Sequence, residues 1–114
     1  MLDETQMGLL RDILDSAKVI RAYLAGLTRE QFMANPEKQD AVLRRLEIIG
    51  EVASRLSPKT QAFFPSLPFR SMRGMRNIIA HDYGDVDLGL VWKTITSDLA
   101  PLIEVLEKHF ASPH

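Results

Sequence analysis

Apolar residues at Leu10, Ile13, Leu14, Ala17, Ile20, Leu24 and Leu27 recur at spacings of three and four. That spacing places them on one stripe of an amphipathic helix. Gly26 loosens the end of this helix, and Thr28 with Gln31 has the form of a capping box that restarts a short helical turn before Asn35 and Pro36 punctuate the chain. A second long helix follows, with Val42, Leu46, Ile49, Ala53 and Leu56 as its main stripe. Leu43, Ile48 and Val52 widen that apolar surface beyond what one neighbour covers, so a second packing partner is expected. Gly50 lies inside the same helix at a cost of about 1 kcal/mol relative to alanine, which is understandable if another backbone, such as that of a second subunit, approaches there.

Three prolines, Pro58, Pro65 and Pro68, surround the Phe63-Phe64 pair, predicting a folded connector with a helical turn that covers the core. Ser66 is placed to cap a third helix with Pro68 in its first turn and Phe69, Met72, Met75 and Ile79 on its buried face, ending near Tyr83 and Gly84. Asp87 stands where an N-cap belongs. Leu88, Val91, Trp92, Ile95, Leu99, Leu102, Leu106 and Phe110 then trace a long final helix that Pro101 must kink or restart. Without a convincing strand or repeat, the pattern predicts an all-α fold: an antiparallel bundle of four main helices plus a short extra helical turn.

Composition narrows this picture. At 114 residues and 46% apolar content the chain fits a single domain over residues 1–114. The formal net charge of −1 gives no overall positive field, so any contact with RNA must come from a local patch. The first ten residues lack a basic start followed by an apolar run, and every predicted helix is interrupted by charges, so neither export nor a membrane span is expected. With no cysteine, disulfides, thiolate nucleophiles and cysteine-containing zinc sites are excluded.

The stretch from Arg70 to Tyr83 is where polar groups interrupt an apolar helix. At 100° per residue, Arg73, Arg76 and Tyr83 fall near one another, and Asn77 sits one turn before His81. Arg76 and His81, five positions apart, point about 140° apart on a straight helix, so they converge only if the helix end distorts or a symmetry-related helix completes the site. A structural reading stands beside this one. His81 can simply favour the helix dipole, Asn77 can bond to it, Tyr83 can be a half-buried aromatic with a wet hydroxyl, and Arg70, Arg73 and Arg76 can form a solvated basic face. Spacing alone does not choose between them.

At these residues the sequence resembles the HepT-like branch of the HEPN superfamily, whose R-x-x-x-x-H-x-Y hallmark is matched by Arg76, His81 and Tyr83. The surroundings resemble that branch too: Leu46-Glu47-Ile48-Ile49-Gly50-Glu51, Gly74-Met75-Arg76-Asn77, Val86-Asp87 and Val91-Trp92. Asp98-Leu99-Ala100-Pro101-Leu102 is similar to the family's final-helix phrase with an alanine inserted before the proline. The likeness covers the chain from about Asp40 to Leu106.

That resemblance implies a HEPN-like helical homodimer in the cytoplasm of a bacterial or archaeal cell, with metal-independent RNA cleavage at a shared cleft and no cofactor. It implies catalytic roles for Arg76, Asn77 and His81, and an RNA substrate whose backbone Arg70 and Arg73 hold electrostatically. It also implies a partner, a minimal nucleotidyltransferase (MNT-type) antitoxin that transfers AMP to the motif tyrosine, here Tyr83. The competing expectation is a non-catalytic HEPN binding protein in which the same motif docks and regulates that nucleotidyltransferase.

Other residues fit bland roles. Glu47 and Glu51 lie one turn apart but lack the Glu-x-x-His sequence of a di-metal bundle. Asp82, Asp85 and Asp87 lack the spacing of a calcium loop. His109 and His114 are expected to favour the dipole of the final helix or to be exposed, and Trp92 to be a core or dimer-contact residue.

Overall fold

A computed structural model of the chain describes residues 2–74 and 86–111. Helix α1 (Glu4–Leu24) begins where the Asp3 carboxylate accepts the Gln6 N–H at 2.8 Å, and it buries Leu9, Leu10, Ile13, Leu14, Ala17 and Ile20. It stops before Gly26, whose φ of +74° is open to glycine at little cost but strains a residue with a Cβ. The expected capping box is complete: Thr28 Oγ1 accepts the Gln31 N–H and Gln31 Oε1 accepts the Thr28 N–H, launching the short α2 (Arg29–Met33). Asn35 caps α3 (Pro36–Ala53) through a bond from the Lys38 N–H, and Pro36 occupies the first helical position, where a missing N–H costs nothing.

The stripe of Val42, Leu46, Ile49, Ala53 and Leu56 is buried as its periodicity predicts, and Val52 joins it, while Leu43 and Ile48 are half-buried against the same cluster. Helix α1 packs most extensively on α3. The two run antiparallel, because Gln6 in the first turn of α1 accepts a hydrogen bond from the N–H of Ser57, just past the end of α3.

The proline-rich connector folds as expected into a helical turn, α4 (Pro58–Phe63), capped by the Ser57 hydroxyl. Phe64 and Leu67 insert into the core, whereas Phe63 is half exposed. Helix α5, seen over described residues 69–74, starts slightly later than its sequence suggests. The Met72 N–H donates to the Pro68 carbonyl at 3.0 Å, which places Pro68 at the cap rather than inside the first turn, and Ser66 lies in the exposed turn before it. Phe69 is buried and Met72 half-buried on its inner face. Met75, Ile79 and Gly84 fall outside the described residues.

Asp87 caps α6 (Leu88–Ser97) through the Leu90 N–H, as its position predicts. The single long final helix is divided. The chain turns at Asp98 and restarts as α7 (Leu99–Ala111), so Pro101 falls in a first turn whose N–H groups have no intrahelical acceptor. Proline is harmless there and would not be three residues deeper. Helix α7 returns over α1, and α6 packs on α7 and α2. Trp92, on α6, stacks on the fully buried Phe32 of α2 at 5.3 Å between ring centroids. Among the described residues all regular secondary structure is helical, with no strand, which is the all-α class expected.

Candidate functional site

Arg76, Asn77, His81 and Tyr83 lie outside the described residues, as do Asp82, Asp85 and His114. What the fold does place is the approach to them, namely the first turns of α5 and the segment from Val86 onward.

Phe69 anchors α5 in the core and Met72 follows it inward, one turn on. Their burial leaves Arg70 exposed, with Arg73 three positions later and therefore near it on the helix surface. Arg73 is not a freely waving cation. Its Nη1 donates to Gln61 Oε1 at 3.1 Å, and the amide nitrogen of that same glutamine donates to the Leu56 carbonyl at 3.0 Å. Both groups are partly buried, so the pair of bonds fixes the guanidinium against the elbow between α3 and α4. Gln61 carried no signal in the sequence, since it lies twelve positions from Arg73 and shares no periodic pattern with it.

An apolar cavity of about 250 Å³ opens beside α5, lined by Leu46, Ile49, Pro68, Met72, Leu99 and Leu102 among others. Its described lining offers no cation, so it is unsuited to a phosphate chain. Gly50 is buried on α3. Glu47 is half-buried and pairs with Arg44 at 3.8 Å, and Glu51 is exposed. Among the described residues no group of three histidine, cysteine or carboxylate side chains is placed to hold a metal ion.

His109 takes the first of its two expected roles, the contact with the dipole of the final helix. It lies in the last turn of α7 and is half-buried. Its ring stands edge-on to Phe64 at 5.1 Å and to Phe110 at 5.3 Å, with Nε2 3.5 Å from the Met7 sulfur. The spacing of α7 alone could not show the contacts with Met7 and Phe64, because these come from α1 and from the end of α4.

A bundle that is helical and free of strands among the described residues, and whose basic α5 precedes an R-x-x-x-x-H-x-Y sequence, is of the HEPN type. The family model described as Ribonuclease HepT-like matches residues 13–109, and the chain belongs to that family. It is 33% identical over 99 residues to the "Probable ribonuclease HepT" of Thermococcus cleftensis, covering 87% of this chain and 90% of that protein. It is 35% identical to the "Gamma-glutamylcyclotransferase and putative RNase" of Methanocaldococcus jannaschii, covering 87% of this chain but only 45% of that longer protein. The "Putative RNase" of Caldanaerobacter subterraneus is 28% identical, over 92% of this chain and 97% of its own length. No solved structure matches significantly. No helix among the described residues is long and apolar enough to cross a membrane.

Proposed function

We propose that the chain is a metal-independent endoribonuclease acting as the toxin of a toxin–antitoxin pair. The observation that carries this reading is that the matched span, 13–109, contains the Arg76, His81 and Tyr83 motif intact. The chemistry suits these side chains. The ribose 2′-oxygen attacks the adjacent phosphorus, the bond to the 5′-oxygen breaks, and the products carry a 2′,3′-cyclic phosphate and a 5′-hydroxyl. His81 takes the 2′-hydroxyl proton and returns one to the leaving 5′-oxygen, the general acid–base role for which an imidazole side chain is suited. Arg76 stabilises the extra negative charge on the phosphate oxygens at the transition state. Asn77 orients His81 or the phosphate, and Arg70 and Arg73 hold the RNA backbone.

The angular separation of Arg76 and His81 on a straight helix favours a site shared across a homodimer. The regulator in this reading is a minimal nucleotidyltransferase. The Tyr83 hydroxyl attacks the α-phosphorus of ATP, pyrophosphate leaves, and the attached AMP puts charge and bulk where the RNA phosphate must sit. The pair works in the cytoplasm.

The test is cleavage of mixed RNA by purified protein with chelator present, alongside Arg76→Ala and His81→Ala. Cyclic-phosphate ends from the unmodified chain and silence from both folded variants are expected. Cleavage surviving both changes removes the site assignment. Intact RNA in every lane, with a stable nucleotidyltransferase complex, favours the binding-protein reading.

A further inference from the structure

From Val52 to His81 the chain carries Arg55, Lys59, Arg70, Arg73 and Arg76 and no carboxylate, in a protein whose overall charge is slightly negative. The carboxylates flank this run in the sequence, ending with Glu47 and Glu51 in the later turns of α3 on one side and resuming at Asp82 on the other. This charge separation is folded into a defined surface by Gln61. Its amide joins the Leu56 carbonyl to the Arg73 guanidinium through bonds of 3.0 and 3.1 Å, which brings those two groups within roughly 8 Å. Arg55 is the residue immediately before Leu56, in the turn that ends α3, and it is exposed while Leu56 is buried. Arg70 stands on the same side of α5 as Arg73. Among the described residues none of Arg55, Arg70 and Arg73 enters a salt bridge, whereas Arg44 and Lys18 do.

Resting on the ribonuclease reading above, we infer that Arg55, Arg73 and Arg70 form one track for the RNA phosphate backbone, with Gln61 as the positioning residue that braces its centre. A guanidinium held by a neutral amide keeps its full charge and its remaining donors, whereas a carboxylate in the same place would cancel the charge. The brace also lowers the entropy lost when the side chain grips a phosphate. Lys59 is outside the track. It precedes Gln61 by two positions and so points about 200° away around α4.

The experiment is titration of a fluorescent, single-stranded 2′-O-methyl RNA of mixed sequence with the full chain, over a series of salt concentrations. Such RNA lacks the attacking hydroxyl. Arg55→Ala and Arg73→Ala are each expected to weaken binding about three- to tenfold and to flatten the plot of log K against log salt by about 0.7 per lost phosphate contact. Gln61→Glu preserves the link to Arg73 yet is expected to weaken binding and flatten the same slope, a change that loss of packing would not produce. Gln61→Ala and Arg73→Ala should be less than additive in affinity. Arg21→Ala, about 22 Å along α1 from Gln6, removes one exposed cation as a control and should leave affinity unchanged. If Arg55→Ala and Gln61→Glu bind like the unmodified chain, or if Arg21→Ala weakens binding equally, the track is overturned while the ribonuclease reading stands. If the unmodified chain binds no RNA, both fall together.

Discussion

Gln6 and Ser57, fifty-one positions apart, are joined by a 2.9 Å hydrogen bond in which the glutamine Oε1 accepts the serine backbone N–H. The bond sits at the junction of α1, α3 and α4. It satisfies an N–H that, at a helix start, has no partner within α4. Gln6→Ala leaves that donor partly buried and without its acceptor, which is expected to cost about 1 kcal/mol and to lower the melting temperature by several degrees. Gln6→Glu should retain the acceptor and most of the stability. Calorimetry on the two variants separates these outcomes, and equal melting of Gln6→Ala and the unmodified chain would show that water replaces the bond.

The contact between Phe32 and Trp92 supplies its own readout, because Trp92 is the only tryptophan. Phe32 is wholly buried, so Phe32→Ala combines lost transfer energy with a cavity and is expected to cost about 3–5 kcal/mol. Against a total stability of about 5–15 kcal/mol, that leaves a marginal protein. Phe32→Leu should cost less and keep the fold. Urea titration followed by tryptophan emission should show the midpoints falling in the order unmodified, leucine, alanine; a midpoint unmoved in Phe32→Leu would mean that the ring contact adds little beyond volume.

Asp87 caps α6 immediately after the segment that carries His81 and Tyr83 in the sequence. Its side chain is exposed, so the bond to the Leu90 N–H is the main thing a substitution removes. Asp87→Ala should cost about 1 kcal/mol, whereas Asp87→Asn, which keeps an accepting oxygen, should cost a few tenths. If the two variants melt alike, the capping role is displaced by the carboxylate charge at the helix N-terminus.

The features legible in the sequence are those written in local spacing. Thr28 and Gln31 are three residues apart, Asn35 abuts Pro36, Asp87 precedes an apolar repeat, and each determines its own geometry with little help from the rest of the fold. The buried stripe of α3 follows for the same reason, since helical periodicity and burial are one fact seen twice. Pro101 was legible as a break but not as the kind of break, because whether a helix bends or restarts depends on Asp98, which turns out of line before it. Gln61, Gln6 and His109 were illegible. Each acts across the bundle on a residue from another element, and no period in the chain links them. Of the candidate site, the sequence named the motif and the basic α5; the structure adds how Arg73 is held.

The regulatory half of the proposal turns on the Tyr83 hydroxyl, and removing that oxygen alone gives the sharpest test. Tyr83→Phe keeps the ring and deletes the nucleophile. After incubation with ATP and a cognate nucleotidyltransferase, the unmodified chain should gain the mass of AMP and lose at least about tenfold in RNA cleavage, because the added phosphate competes with the substrate phosphate for Arg76. Tyr83→Phe should gain no mass and should cleave after treatment at whatever rate it showed before. The ratio of treated to untreated activity within each protein is the quantity to compare, which makes the result independent of any direct effect of the substitution on cleavage. AMP on the phenylalanine variant would place the acceptor elsewhere. Inhibition of that variant without modification would mean that the partner acts by covering the site, because a bound protein blocks substrate whether or not it leaves a nucleotide behind.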